Sequence, residues 1–148
     1  EITDEDFHKI VNTNLLATHL GCQIFGKHMV DAGRGAILNI GSVTSYRPLS
    51  RVFIYSASKA AVLSLTQNVA REFAPHGVRV NCLCPGFFPA EQNRKILDKS
   101  RVDSILRHTP MGRLGEPEDI AGAVMMLLGD DARWVTGQVI EASGGLAL

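Results

Sequence analysis

The sequence is poor in the features that form disulfides or bind metals. It has three cysteines, Cys22, Cys82 and Cys84, and none of them stands in a C-x-x-C pair. Because the cysteines are odd in number and form no such pair, we predict free buried thiols. Free thiols are typical of a reducing compartment, and we therefore predict the cytoplasm. No spacing of cysteines and histidines fits a metal site, so we expect no catalytic metal.

The chain also lacks an excess of charge and any long apolar run. Fifteen Lys and Arg residues balance fifteen Asp and Glu residues, which gives a formal net charge of zero. This balance argues against nucleic acid and against an anionic membrane as partners. No apolar run approaches the length of a membrane span, and we do not expect the acidic start Glu1-Ile2-Thr3-Asp4 to be a signal peptide. With 148 residues and no repeat or linker, we expect one domain with a sizeable core.

Against this neutral background, one pair of side chains suggests chemistry. Tyr55 and Lys59 occur in Ile54-Tyr55-Ser56-Ala57-Ser58-Lys59, so on a helix they lie one turn apart on the same face. An ammonium group beside a phenol stabilises the phenolate, which makes the phenol a candidate general acid. Taken alone, the pattern is more often a surface tyrosine and a solvated lysine.

Ser42 gives this pair a context. It ends the run Gly35-Ala36-Ile37-Leu38-Asn39-Ile40-Gly41-Ser42, which is apolar until its close and typical of a buried strand. In an open parallel sheet, ligands bind beyond the carboxyl ends of the strands, where a hydroxyl group can donate to a carbonyl oxygen. A loop serine after a strand is common, but its combination with Tyr55, Lys59 and a later Pro85-Gly86 turn favours a functional site.

The rest of the pattern predicts helices that alternate with strands. Thr3-Asp4-Glu5-Asp6 resembles a capping box, and apolar residues at helical spacing predict one long helix from there to about residue 31, with Asn14 in its interior. The later predicted elements are a helix at 55–73, a strand at 78–83, short helices within 95–108, a helix at 116–128 and a strand at 136–140. We therefore expect an α/β fold with three parallel strands.

Six motifs extend along the whole chain. They are Asn12-Thr13-Asn14-Leu15, Asn39-Ile40-Gly41-Ser42, Tyr55-Ser56-Ala57-Ser58-Lys59, Asn81-Cys82-Leu83-Cys84-Pro85-Gly86, Gly112-Arg113-Leu114-Gly115-Glu116-Pro117-Glu118-Asp119-Ile120-Ala121, and Val135-Thr136-Gly137-Gln138 with Gly144-Gly145. In this order and spacing they resemble the short-chain dehydrogenase/reductase family. The resemblance implies a Rossmann-type, doubly wound parallel sheet. It also implies hydride exchange between NAD or NADP and a small-molecule alcohol or carbonyl substrate, in a homodimer or homotetramer whose main interface is formed by the two long helices.

The resemblance assigns catalytic roles to four residues. Tyr55 is implied as the acid/base, and Lys59 as the partner that promotes its ionisation and binds the nicotinamide ribose. Ser42 is implied as the donor to the substrate oxygen. Asn14 matches an asparagine that anchors a proton-relay water in the family.

For the cofactor, the resemblance implies contacts with Tyr55, Lys59, Pro85, Gly86 and Phe88. Family members begin with a glycine-rich turn, T-G-x-x-x-G-x-G, that holds the pyrophosphate. This chain has neither that turn nor an N-N-A-G segment. Residues 1–148 thus look like the C-terminal portion of a single NAD(P)-binding domain, and the residue that selects NAD or NADP would lie in the other portion.

The substrate is expected against the loops that follow Ser42 and Pro85-Gly86. The run from Pro85 to Arg94 looks like that of the family's sugar-acid oxidoreductases, of the mannonate/fructuronate type, although Ala90 stands near the family's threonine. Arg94 has two open interpretations, a fork for a carboxylate or a solvated charge on a loop. The implied substrate residues are Ser42, Val43, Thr44, Glu91, Asn93 and Arg94.

Two other functions stay open. A chain without a pyrophosphate site could be a truncated, inactive fragment that serves only as a folding or dimerising module. A reductase of carbon–carbon double bonds is a third interpretation. The hydroxyl of Ser42 argues against it, because that chemistry has less need of a second donor to oxygen.

Overall fold

A sheet of three parallel strands organises the chain in the computed structural model, which describes residues 2–89 and 98–148. The strands are β1 (Gly35–Ile40), β2 (Val78–Pro85) and β3 (Val139–Ala142), and they lie in that order across the sheet. Pairing with β2 extends over the whole of β1 on one side and the whole of β3 on the other. The predicted fold class, with three parallel strands, is confirmed.

The N-terminal helix is continuous but contains one widened segment. α1 (Asp4–Val11) and α2 (Ala17–Asp31) are joined by a π-helical segment, Asn12–Leu16. The hydroxyl of Thr3 begins α1 with a capping box, in which it accepts a backbone N–H of the first turn at 3.1 Å. The predicted long helix is confirmed. Its π-helical segment was not predicted and contains Asn14; such segments are frequent at functional sites.

Helices cover both faces of the sheet. α3 (Phe53–Phe73) packs buried side chains, Val62 and Ala70 among them, on β2. α5 (Pro117–Leu128) contacts all three strands. α4 (Lys99–Arg107) packs on the segments that follow β1 and β3. This two-sided covering is the doubly wound arrangement, in which the carboxyl ends of the strands form the usual place for a ligand.

Arg79 fixes α5 on its face of the sheet. Its side chain leaves β2 on the face opposite to Val78 and Val80, which are buried in a cluster with α3. The guanidinium donates to the carbonyl oxygens of Leu127 at 2.8 Å and Gly129 at 3.0 Å. Carbonyl groups at the end of a helix have no partner within it, and a positive charge there complements the helix dipole.

β3 begins three residues later than the sequence pattern predicts. In the preceding turn, the hydroxyl oxygen of Thr136 accepts the N–H of Val80 at 3.0 Å. Asn81, which is only 1% exposed, accepts the N–H of Gln138 at 3.0 Å and donates to the carbonyl of Val135 at 2.9 Å. Side chains thus satisfy buried backbone groups that strand pairing would otherwise have to satisfy.

Expectations from composition can also be compared with the structure. Cys22, Cys82 and Cys84 are all free and buried, which confirms the prediction of unpaired thiols. Among residues 2–89 and 98–148, no helix combines the length and apolar character needed to cross a bilayer. Within the same ranges, no group of three or more His, Cys, Asp or Glu side chains is placed to hold a metal ion.

Candidate active site

The carboxyl end of β1 brings Ser42 to the mouth of the sheet. Gly41 extends the pairing by one residue, because its N–H donates to the carbonyl of Leu83 at 2.8 Å. A side chain has no room at Gly41, where a Cβ atom would lie 2.7 Å from the sulfur of Cys84 and 2.9 Å from that of Cys82. The chain therefore leaves the sheet along a path that close packing defines, with Ser42 as the first residue beyond it.

The hydroxyl of Ser42 is oriented by the loop that follows. Ser42 is 8% exposed, and its Oγ accepts the N–H of Thr44 at 3.2 Å and the Oγ1 hydroxyl of Thr44 at 3.0 Å. In this way it caps the short 3-10 helix Val43–Ser45. Because Ser42 accepts both bonds, its own hydroxyl hydrogen is available to another group, such as a carbonyl oxygen.

Tyr55 and Lys59 lie one turn apart near the start of α3, as their spacing predicts. The Nζ atom of Lys59 is 5.9 Å from the centroid of the Tyr55 ring. It donates at 2.8 Å to the carbonyl oxygen of Ile40, the last residue of β1. Lys59 is therefore directed inward to the strand end from which Ser42 emerges. Tyr55 is 36% exposed, so an incoming molecule can reach it.

Burial and polar neighbours act on the charge of Lys59 in opposite directions. Burial lowers the pKa of its ammonium group below the ordinary value, because loss of water disfavours the charged form. The electrostatic effect of the Cys82 and Cys84 side chains raises this pKa and offsets part of the lowering. The hydrogen bond to Ile40 also favours the charged form. The result is a cation held in a fixed position in partly apolar surroundings.

Asn14 is connected to the same turn of α3 through Ser58. The amide nitrogen of Asn14 donates to Ser58 Oγ at 3.0 Å, and that hydroxyl donates to the carbonyl oxygen of Tyr55 at 2.7 Å. Ser58 is buried between the two helices. Sequence reasoning overlooked it, although its position three residues after Tyr55 on the same helix was a usable signal.

A second tyrosine, Tyr46, joins the loop after β1 to β3. Its hydroxyl donates to Oε2 of Glu141 at 2.7 Å. The other oxygen of Glu141 accepts from the Ser143 hydroxyl and from the N–H of Ala147, the latter at 3.3 Å. Burial and the bond to Glu141 raise the pKa of Tyr46 well above its ordinary value, so this phenol stays protonated. Sequence reasoning did not find this contact, since nothing in the local pattern relates residues 95 positions apart.

Gly86 has a packing role in the structure. Its N–H donates to the carbonyl of Ala142 at 3.0 Å. A Cβ atom on Gly86 would lie 2.7 Å from the Cα atom of Ser143. Glycine is therefore needed for the close approach of the end of β2 to the end of β3, and its contact with a nicotinamide ring stays a prediction.

The residues with predicted roles are distributed over several cavities. One of about 550 Å³ is lined by Gly86 and Phe88, one of about 410 Å³ by Asn14 and Lys59, and one of about 190 Å³ by Val43 and Thr44. The predicted substrate residues Glu91, Asn93 and Arg94 lie outside the described residues. The structure thus brings Lys59 together with Tyr55 and Asn14, and it places the other predicted cofactor and substrate contacts in separate cavities, none of which Ser42, Tyr55 or Pro85 lines.

A parallel sheet covered on both faces is a Rossmann-type fold, and a tyrosine–lysine pair and a serine lie at its carboxyl end. A family model described as enoyl-(acyl carrier protein) reductase matches residues 1–147. The chain belongs to this family, the short-chain dehydrogenases/reductases.

Several characterised relatives and solved structures are similar to the chain. Human (3R)-3-hydroxyacyl-CoA dehydrogenase is 39% identical over 146 residues, which are 98% of this chain and 56% of the relative. A gluconate 5-dehydrogenase from Burkholderia cenocepacia, solved with NADP and tartrate, superposes with a TM-score of 0.94 at 33% identity, over 97% of this chain and 57% of the other. A short-chain dehydrogenase from Leptospira borgpetersenii with bound NAD⁺ gives a TM-score of 0.89 at 32% identity, over 99% and 58%. The chain therefore spans somewhat more than half the length of these relatives.

Replacement of Gly41 by Ala tests how tightly the end of β1 is packed. The added Cβ atom would lie between 2.7 and 2.9 Å from side-chain atoms of Cys82, Cys84 and Leu63. Because overpacking a core costs about 1–3 kcal/mol, we expect Gly41→Ala to lower the free energy of unfolding by that amount in urea denaturation.

Gly122→Ala is the matched control. Gly122 lies in α5, and a Cβ atom there would meet nothing within 4 Å outside the backbone of its own helix. We expect this change to raise the stability by about 0.5–1 kcal/mol, since alanine favours a helix. Unchanged stability in Gly41→Ala would show that the strand end is not closely packed.

Proposed function

We propose that the protein is an NAD(P)-dependent oxidoreductase that transfers a hydride between the nicotinamide cofactor and a secondary alcohol or ketone. The observation that carries the proposal is the inward hydrogen bond of Lys59, which holds its ammonium group beside Tyr55 and at the strand end that presents Ser42. The names of the relatives, which are dehydrogenases, support it. The proposal concerns the whole protein, because this chain covers 56–58% of those relatives.

The hydrogen-bond donors of the Lys59 ammonium group fit the nicotinamide end of NAD or NADP. An ammonium group has three hydrogens, and the Ile40 carbonyl is its only hydrogen-bond acceptor within the described part of the chain. The remaining hydrogens suit the hydroxyl groups of a ribose. Pro85, Gly86 and Phe88 are proposed to contact the nicotinamide. A pyrophosphate needs backbone N–H groups such as a glycine-rich turn supplies, and residues 1–148 contain no such turn.

The proposed reduction uses two donors to one substrate oxygen and a cation beside one of them. The cofactor, when bound, supplies hydride to the carbonyl carbon. Ser42 donates its free hydroxyl hydrogen to the carbonyl oxygen, and Tyr55 transfers its proton to the same oxygen, which gives the alcohol. Lys59 stabilises the resulting phenolate by its charge. In oxidation, the phenolate takes the proton back from the alcohol.

Asn14 supports Tyr55 in two proposed ways. Its hydrogen bond to Ser58, which in turn donates to the Tyr55 carbonyl, fixes the first turn of α3 relative to the N-terminal helix. We also retain its predicted role in anchoring a water that returns the proton to Tyr55. The π-helical segment around Asn14 supports a functional role, because such irregular helical segments are frequent at functional sites.

A sugar acid is the proposed substrate class. A gluconate dehydrogenase is among the similar structures, although a hydroxyacyl-CoA dehydrogenase is similar as well. Val43 and Thr44 line a cavity beside Ser42 and are proposed to contact the substrate. Contacts with Glu91, Asn93 and Arg94 remain predictions from the resemblance.

A reductase of carbon–carbon double bonds is the second candidate, because the matched family description names an enoyl reductase. The orientation of the Ser42 hydroxyl favours carbonyl chemistry, since a polarised oxygen has use for two donors. The remaining alternative, an inactive folding or dimerising module, would be indicated if the whole protein bound neither NAD nor NADP in calorimetric titration.

We further propose a homodimer or homotetramer. The N-terminal helix, including its π-helical segment, and α3 leave large apolar side chains exposed, namely Phe7, Leu16, Leu20, Ile24, Phe25 and Phe53. Phe25 and Phe53 are each 64% exposed, and an extended apolar surface of this kind marks an interaction site. Sedimentation velocity would contradict the proposal if the whole protein were a monomer at micromolar concentration.

The three free thiols support a reducing, cytoplasmic location, which stays a prediction.

Replacement of Tyr55 by Phe should abolish turnover and leave the fold intact. The change removes the proton donor while it keeps the aromatic ring, and general acid catalysis contributes about 10²–10⁴-fold. We expect kcat of the whole protein to fall by at least about 100-fold, with unchanged circular dichroism.

The other tyrosine of the chain provides the control. Tyr46→Phe removes the hydrogen bond to Glu141 but no proposed catalytic group. We expect its kcat to stay within a few-fold of the wild-type value and its free energy of unfolding to fall by about 1 kcal/mol. Retained turnover in Tyr55→Phe, or an equal loss in both variants, would refute the role of Tyr55.

A further inference from the structure

A small cavity lies behind the loop that follows Ser42. Its volume is about 190 Å³. Its floor is apolar and belongs to the buried cluster of Val43, Ile105 and Leu146. Arg47 and His108 also line it, the first from the loop after β1 and the second from the end of α4. We call this space the Arg47 cavity.

The guanidinium group of Arg47 has no partner among the residues that the structure describes. Arg79 and Arg113, in contrast, donate all their resolved hydrogen bonds to defined carbonyl or carboxylate oxygens. Arg47 is half-buried, and only its backbone N–H is engaged, at 2.9 Å from the carbonyl of Val43. Five N–H donors in a fixed fork that line this cavity, with no acceptor bound to them among the described residues, point to a ligand that supplies one.

His108 adds a second polar group on the same cavity. Its Nδ1 atom lies 2.7 Å from the carbonyl oxygen of Ser104. A carbonyl oxygen can only accept, so Nδ1 carries the hydrogen. The Nε2 atom is therefore free to accept from a neutral ligand group or, in the charged ring, to donate to an anion.

Two segments that contribute to the walls carry an excess of positive charge, although the chain as a whole is neutral and only Arg47 among their Lys and Arg residues lines the cavity itself. Residues 47–51 and 98–108 together contain five Lys and Arg residues against two Asp residues. One of these acids, Asp98, accepts the N–H of Arg101 at 2.8 Å and the Ser100 hydroxyl at 2.7 Å, so it is occupied at the start of α4. The excess of positive charge favours an anion in the space between the two segments.

We propose that the Arg47 cavity binds the carboxylate end of a short hydroxy acid whose hydroxyl carbon reacts between Ser42 and Tyr55. The inference rests on the proposed function and narrows its substrate class. Arg47 would hold the carboxylate with two parallel hydrogen bonds, and the apolar floor would receive the adjoining carbons. Pockets that enclose a whole ligand have about 300–1,000 Å³, so this smaller cavity fits one end of the substrate only. An acyl thioester would offer the guanidinium a single neutral carbonyl oxygen, without the negative charge and the second oxygen of a carboxylate.

The test compares charged and neutral substrates of the same shape. In the whole protein, Arg47→Gln should raise KM for D-gluconate about 10- to 100-fold, as expected for the loss of a charge-assisted bidentate contact. The variant should change kcat less than about threefold, and its KM for the neutral D-gluconamide less than about twofold. Arg47→Lys should recover part of the affinity for gluconate. Equal changes for both substrates, or no change for either, would overturn the proposal.

A binding measurement makes the test independent of turnover. Calorimetry with tartrate should show binding to the wild-type protein and at least about tenfold weaker binding to Arg47→Gln. Arg34→Gln is the matched control, since Arg34 precedes β1 at the opposite end of the sheet, and it should bind like the wild type. Tartrate binding that does not depend on Arg47, or no binding to the wild type, would overturn the proposal.

The kinetic comparison and the calorimetric measurement together distinguish this inference from the proposed function. Arg47-dependent tartrate binding without turnover of any alcohol or ketone would uphold the carboxylate site and refute the oxidoreductase. Turnover that depends on Tyr55 and not on Arg47 would uphold the oxidoreductase and refute the carboxylate site.

Discussion

The geometry of the site depends on the hydrogen bond between the Lys59 ammonium group and the carbonyl of Ile40. This bond fastens α3 to the last residue of β1 at 2.8 Å. Two turns further along α3, Thr66 accepts at 2.9 Å from the amide of Asn39, which is also buried at this end of β1. Because both contacts come from one face of the helix, they set where its first turn, with Tyr55, lies relative to the strand end.

The sheet can serve as a fixed platform because its buried polar groups are satisfied. Asn81 and Thr136 satisfy the backbone in the turn before β3, and Arg79 does so at the end of α5. Unpaired buried groups would each cost about 1–3 kcal/mol. These bonds lie in the amino-terminal half of β2 and before β3, whereas close packing at Gly41 and Gly86 defines the carboxyl ends of the strands, from which the loops that carry the proposed chemistry start.

Local spacing in the sequence was sufficient to predict part of this arrangement. The four-residue separation of Tyr55 and Lys59 predicted their common face, and the apolar run before Ser42 predicted its strand. The late start of β3 was not predictable, because a buried asparagine and a threonine from other segments replaced backbone pairing. The link through Ser58 and the bond between Tyr46 and Glu141 join residues far apart in the chain, and only the folded structure shows which distant side chains meet.

The central claim is that Ser42 and Tyr55 act on one oxygen of the substrate. A double-mutant cycle tests it most directly, through kcat/KM of the whole protein with Ser42→Ala, Tyr55→Phe and both changes together. Groups that act as a unit are strongly non-additive, so the double variant should lose about as much activity as Tyr55→Phe alone. A loss equal to the product of the two single losses would show that the hydroxyl groups act independently, and it would contradict the claim.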